Sequence, residues 1–165
     1  MTLQEKNILI ARHFGFHVLS VKGSGIELHT LMPPDKHATT WYCNYSLSDS
    51  APIACKTEKE AWESHCPCFF YSDNGLRIMM DWLFENRFNI VHTEGSKIGI
   101  RKAGESPENG AYIHTNKVLK EPDFAAAFAL TGDIFQPCIA TLISFLITRY
   151  NADQKAKKAS GVIPA

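Results

Sequence analysis

Two β-rich stretches, each broken near its middle by a Gly-Ser pair, constrain this chain more than any other feature. The first is Phe16-His17-Val18-Leu19-Ser20-Val21-Lys22, then Gly23-Ser24, then Gly25-Ile26-Glu27-Leu28-His29-Thr30. The second is Phe88-Asn89-Ile90-Val91-His92-Thr93-Glu94, then Gly95-Ser96, then Lys97-Ile98-Gly99-Ile100-Arg101. Glycine supplies the positive φ that a tight turn needs, so both stretches are expected to be hairpins. An ungapped offset of 72 (88 − 16) lays Phe16 on Phe88, Val18 on Ile90, Leu19 on Val91, Ile26 on Ile98 and Leu28 on Ile100. The Gly-Ser pairs coincide in that register, which predicts an internal repeat with the same turn in both copies.

Helical signals flank each hairpin. Thr2-Leu3-Gln4-Glu5 fits a capping box opening a helix to about Phe14, with Ile8, Ala11 and Phe14 facing the core and Gly15 ending it. Thr57-Glu58-Lys59-Glu60 is a second such box, carrying Ala61 and Trp62 inward until Pro67 stops the helix. Ser72-Asp73 is an N-cap pair, followed by Leu76, Met79, Met80, Leu83 and Phe84 at helical spacing. Ile139, Leu142, Ile143, Leu146 and Ile147 repeat that stripe after Pro137, and the alanine-rich run Asp123 to Leu130 predicts a short helix before it. Thr39 to Ser46 and Ala111 to Asn116 are further strand candidates. The sum is an α+β fold with a mostly antiparallel sheet covered by helices, in two related α-β-β-β-α halves. The expected divisions are 1–68, 69–150 and a flexible basic tail over 151–165 with Lys155, Lys157 and Lys158.

Composition narrows the function classes. Lys+Arg and Asp+Glu each number 17, so there is no basic excess for a phosphate backbone, which argues against a nucleic-acid partner. No apolar run approaches the roughly 18 residues of a membrane span. The first residues lack the basic-then-apolar order of a signal peptide, and the five cysteines (Cys43, Cys55, Cys66, Cys68, Cys138) are an odd number, so a cytoplasmic protein without a disulfide framework is expected.

The candidate chemistry is thin. His65, Cys66 and Cys68, completed by Cys43 or Cys55, suggest a metal tetrahedron, but Cys66 and Cys68 stand closer together than the usual zinc spacing, so no metal is expected. Seven histidines occur, at His13, His17, His29, His37, His65, His92 and His114. Those on predicted strands (His17, His29, His92, His114) would act as ligands or general bases only if they converged on one sheet face. Trp41, Tyr42 and Tyr45, with Lys36 and His37 nearby, have the makings of a stacking platform, and alternate aromatics equally suit a half-buried strand. There is no P-loop and no serine elbow, so no catalytic residue or cofactor is expected. Three consecutive aromatics, Phe69-Phe70-Tyr71, cannot all point inward from one turn. At least one is expected at an interface, between halves or in a homodimer.

Residues 70–147 also resemble a known family. Tyr71-Ser72-Asp73, Met79-Met80-Asp81-Trp82-Leu83, the second hairpin, Thr131-Gly132-Asp133 and Ile139-Ala140-Thr141-Leu142 are similar to the phage ABA sandwich family of small phage and prophage accessory proteins. The matching motifs are helix caps and core positions, and the resemblance carries no active-site residues. It implies a fold and a phage accessory origin. Together with the missing catalytic motifs, that leads to the expectation of a non-enzymatic binding protein in the host cell, one that inhibits a host protein such as a component of an antiviral defence pathway. A small-ligand or nucleotide-sequestering protein is the alternative, and a histidine-dependent hydrolase a third.

Overall fold

A computed structural model describes residues 1–34 and 54–164 of the chain. The expected strand at Thr39 to Ser46, with Trp41, Tyr42, Cys43 and Tyr45, and the pair Lys36 and His37, lie outside the described residues. The fold is α+β, and its two sheets are antiparallel. The chain divides into Met1–Trp82 and Leu83–Ala165. That division is 14 residues later than the one expected at 68 (82 − 68), and it assigns Phe69 to Trp82 to the first unit.

The first unit opens with α1 (Leu3–His13), whose capping box forms as its residues dictate: Thr2 Oγ1 accepts the Glu5 N–H, and the Glu5 carboxylate accepts the Thr2 N–H at 2.7 Å. Asn7, Ile10 and Ala11 are its buried positions, Phe14 is buried just past its end, and Ile8 is only half-buried, a rotation of the expected face. Gly15, at φ +96, turns the chain into β1 (His17–Gly23), which pairs with β2 (Ile26–Met32). Then come α2 (Glu58–His65) and α3 (Asp73–Glu85). Glu60 departs from the capping-box pattern, since its carboxylate accepts the Lys56 N–H instead of that of Thr57. The α3 start is capped by Ser72, whose hydroxyl accepts the Gly75 N–H at 3.0 Å and donates to the Cys68 carbonyl at 2.7 Å.

An aromatic cluster fills this unit. Phe14 stands edge-on to Phe69 at 5.5 Å and stacks on Trp82 at 5.2 Å. The buried Asn7 side chain accepts the Phe69 N–H at 2.9 Å, which ties the 66–70 segment to α1. Phe69 and Phe70 are therefore core residues, and of the three aromatics only Tyr71 reaches solvent. Phe70 is therefore not the one of the three that is exposed for contact with a second chain. The α3 stripe is corrected too: Asn74, Gly75, Ile78, Met79 and Leu83 are buried, while Met80 is exposed and Phe84 is 85% exposed. The Cys68-Phe69 backbone lies against Gly75, and this contact sets which side of the helix faces inward.

The second unit contains the meander β3 (Phe88–Thr93), β4 (Lys97–Lys102) and β5 (Ala111–His114). A short helix α4 (Thr115–Val118) follows, then α5 (Pro122–Thr131) and α6 (Phe135–Ala159). Helix α6 packs on β4 and β5, where Ile98 and Ile100 are buried. On the opposite sheet face the Tyr112 ring lies over Gly99, where any Cβ would strike the ring, and its hydroxyl donates to the Pro107 carbonyl at 2.8 Å. The Thr131-Gly132-Asp133 motif is a joint: Gly132, at φ +67, ends α5, and Asp133 accepts the Phe135 N–H at the start of α6. The expected basic tail begins inside a helix, since α6 runs through Lys155, Lys157 and Lys158.

The repeat is not confirmed at the level of strand register. In the first hairpin the turn residues are Ser24 and Gly25, at φ 52 and 80, a two-residue turn of the mirror-image kind that suits strand twist. In the second, Thr93 pairs with Lys97, leaving the three residues Glu94, Gly95 and Ser96 as the loop. Val21 pairs with Leu28, but the corresponding Thr93 and Ile100 are not partners, since Ile100 pairs with Ile90. In the ungapped alignment the second loop begins two residues earlier and is one residue longer, so the strand partners shift by three positions and the correspondence is lost.

Candidate interaction surface

Strand alternation divides the first hairpin into two unlike faces. Cross-strand partners share a face, so Leu19, Val21, Ile26, Leu28 and Thr30 lie on one side and Val18, Ser20, Glu27, His29 and Leu31 on the other. The second face carries the buried Leu31, and α2 packs against both strands. Among the described residues no element packs on the first face: Leu19 is 50% exposed, Val21 60%, Ile26 62% and Leu28 41%. Single exposed aliphatics need no explanation, whereas four contiguous ones on one sheet face mark an interaction surface. Alternation in the sequence already carried this signal, but a half-buried strand has the same pattern, and only the packing shows which face is covered.

Within each sheet the strand histidines do not share a face. His17 and His29 fall on opposite faces of the first hairpin. His17 Nδ1 sits 3.2 Å from the Gly15 carbonyl, and His29 Nδ1 sits 2.8 Å from Ser20 Oγ. His92 and His114 pair with the neighbouring β4 residues Ile98 and Lys97, so they too point to opposite faces. His13 packs edge-on against Trp82 at 5.7 Å, and burial lowers its pKa. Among the described residues, no group of three or more His, Cys, Asp or Glu is placed to hold a metal ion. His65 ends α2, and Cys66 and Cys68 follow as free thiols, with Cys68 Sγ 3.8 Å from Asn7 Nδ2.

Along α1, an open groove of about 430 Å³ is lined by Met1, Glu5, Ile8, Leu9 and Arg12. Its charged groups are already engaged: Glu5 caps the helix, and the Arg12 guanidinium lies 4.8 Å from the Trp62 ring centroid. That leaves little to orient a small polar ligand.

Burial pushes the Cys66 thiol up to about 12, helped by Cys68 and opposed by Arg12, and pushes Cys138 up to about 11, helped by Asp133. A raised thiol pKa means the folded protein holds its proton more tightly than the unfolded chain. The associated stability is present below pH 9, where an ordinary thiol starts to ionise, and is lost as pH rises toward 12. Urea midpoints are expected to fall between pH 9 and 11, and to fall less in a Cys66→Ala, Cys138→Ala variant. Equal slopes for the two proteins would show that other groups carry the alkaline loss.

Among the described residues no helix is long and apolar enough to cross a membrane. Comparison of the chain with family models, curated proteins and solved structures finds no match.

Proposed function

We propose that this chain is a non-enzymatic binding protein that docks a protein partner on the uncovered face of the β1–β2 hairpin. The observation that carries this reading is the contiguous exposed set Leu19, Val21, Ile26 and Leu28 on one side of a two-stranded sheet. A flat aliphatic surface suits the apolar centre of a protein interface. The partner we propose is a host protein, such as a component of antiviral defence, in keeping with the expectation drawn above for residues 70–147.

Ile26→Glu tests this reading, because Ile26 is the most exposed aliphatic of the face and lies on β2 next to the turn. A surface change there is expected to alter stability by no more than about 0.5 kcal/mol. Tagged wild-type protein expressed in the host is expected to retain a stoichiometric host protein. The variant should retain it at least about tenfold less, since burying an unpaired carboxylate costs more than the 1.4 kcal/mol that factor represents. Equal retention by folded Ile26→Glu, or turnover of a substrate by the pure protein, would overturn the proposal.

A further inference from the structure

The outer edge of β1 is a second recognition element, distinct from the face. Its hydrogen-bonding parity follows from a contact on the far side of β2. His29 exchanges both backbone bonds with Cys55, N–H to carbonyl at 2.9 Å and the reverse at 2.7 Å. The His29 N–H and C=O therefore point away from β1, and the Ser20–His29 pair is one of the non-hydrogen-bonded pairs of the ladder. By the same alternation the N–H and C=O groups of Val18, Ser20 and Lys22 point outward from β1. Among the described residues no strand pairs with that edge.

Exposed edges are normally protected by proline, by a bulge or by a charge set in the middle of the strand. Strand β1 has none of these. Its register with β2 is unbroken over seven pairs, it contains no proline, and its lone Lys or Arg, Lys22, is tied to Glu27 at 3.5 Å. We infer that β1 pairs antiparallel with β1 of a second copy of this chain, with Ser20 on the two-fold axis. That register uses all three outward residues: Ser20 meets the partner's Ser20, and Val18 meets the partner's Lys22 in both directions. Each of these pairs exchanges two backbone hydrogen bonds. Between them Leu19 stands opposite the partner's Val21, aliphatic against aliphatic, at the close spacing of a non-hydrogen-bonded pair. No like charges oppose one another. Two hairpins joined this way form a four-stranded sheet whose uncovered face carries both sets of aliphatics.

The inference goes beyond the face reading and fails separately from it. An edge-to-edge contact of this size belongs to the weak, concentration-dependent class. Sedimentation equilibrium of the full chain from about 1 µM to several hundred µM, a range suited to such contacts, is expected to show the mass rising from 18.5 kDa toward 37 kDa (2 × 18.5). Ser20→Pro removes the N–H on the axis while leaving the β1–β2 ladder intact, because that N–H points outward. It should hold the mass at one chain with an unchanged circular dichroism spectrum. Ile26→Glu, away from the edge, should dimerise as the wild type does. If Ser20→Pro does not fold, Leu19→Lys and Val21→Glu replace it: each alone should weaken dimerisation about tenfold, and an equimolar mixture should recover it through the new Lys–Glu pair. A wild type monomeric at every concentration overturns the inference. So does a folded Ser20→Pro that still dimerises, or a mixture that recovers nothing. In each case β1 is left to another partner or to none.

Discussion

Phe70→Ser is expected to unfold much of the first unit at temperatures the wild-type protein tolerates. Phe70 is 1% exposed and follows Phe69, which stands edge-on to Phe14 in the core of that unit. Truncating a buried phenylalanine costs about 3–5 kcal/mol through lost transfer energy and the cavity left behind, and a buried hydroxyl adds to it. Domains of this size have only about 5–15 kcal/mol in total. Each kcal/mol moves the melting point of a unit of some 80 residues by about 4–8 °C, so a drop of at least about 12 °C is expected in a thermal melt. The alternative suggested by the run Phe69-Phe70-Tyr71, a solvent-facing Phe70 at an interface, predicts a melting point within about 2 °C of wild type and a change in mass instead. The two outcomes do not overlap.

Gly75→Ala is the second large effect, and here two contributions oppose each other. Gly75 lies in the first turn of α3, where alanine would gain about 1 kcal/mol of helix propensity. A Cβ at this position, however, would run into the Cys68 carbonyl oxygen and lie 2.7 Å from Phe69 Cα. Both are backbone atoms. The same carbonyl accepts the Ser72 hydroxyl at 2.7 Å and the Ser72 N–H at 3.2 Å, so moving it disturbs the α3 cap as well. Overpacking against atoms that cannot rotate away costs about 1–3 kcal/mol, and a lost cap about 1 more. The clash wins, and a net loss of about 2 kcal/mol is expected in urea denaturation. A Gly75→Ala protein as stable as wild type would mean that the 66–70 segment does not cross α3 where the structure has it.

Much of this architecture was legible because it depends on near neighbours. The Thr2–Glu5 box, the glycine ends of α1 and α5, the Ser72 cap and the existence of both hairpins are each set by contacts within about five residues, and side-chain type declares them. The helical stripe of α6 was equally plain, since Ile139, Leu142, Ile143 and Ile147 are all buried. The candidate surface was half legible. Alternation placed Leu19, Val21, Ile26 and Leu28 together, yet the pattern is the same whether that face is covered or bare.

What stayed hidden depends on long-range partners. The inward fate of Phe69 and Phe70 hangs on Asn7, about 60 residues away, whose carboxamide accepts the Phe69 N–H. The loss of the 72-residue correspondence in strand register hangs on where each turn falls and whether it holds two residues or three, set by backbone dihedrals at Ser24, Gly25, Gly95 and Ser96, to which a Gly-Ser match is blind. The parity of the β1 edge is read from Cys55, which bridges His29 from 26 residues further along the chain. Propensity and periodicity act through local sterics and specify elements. Which face is covered, which carbonyl crosses which helix and which edge stays open are set by packing between distant segments, and no local pattern encodes them.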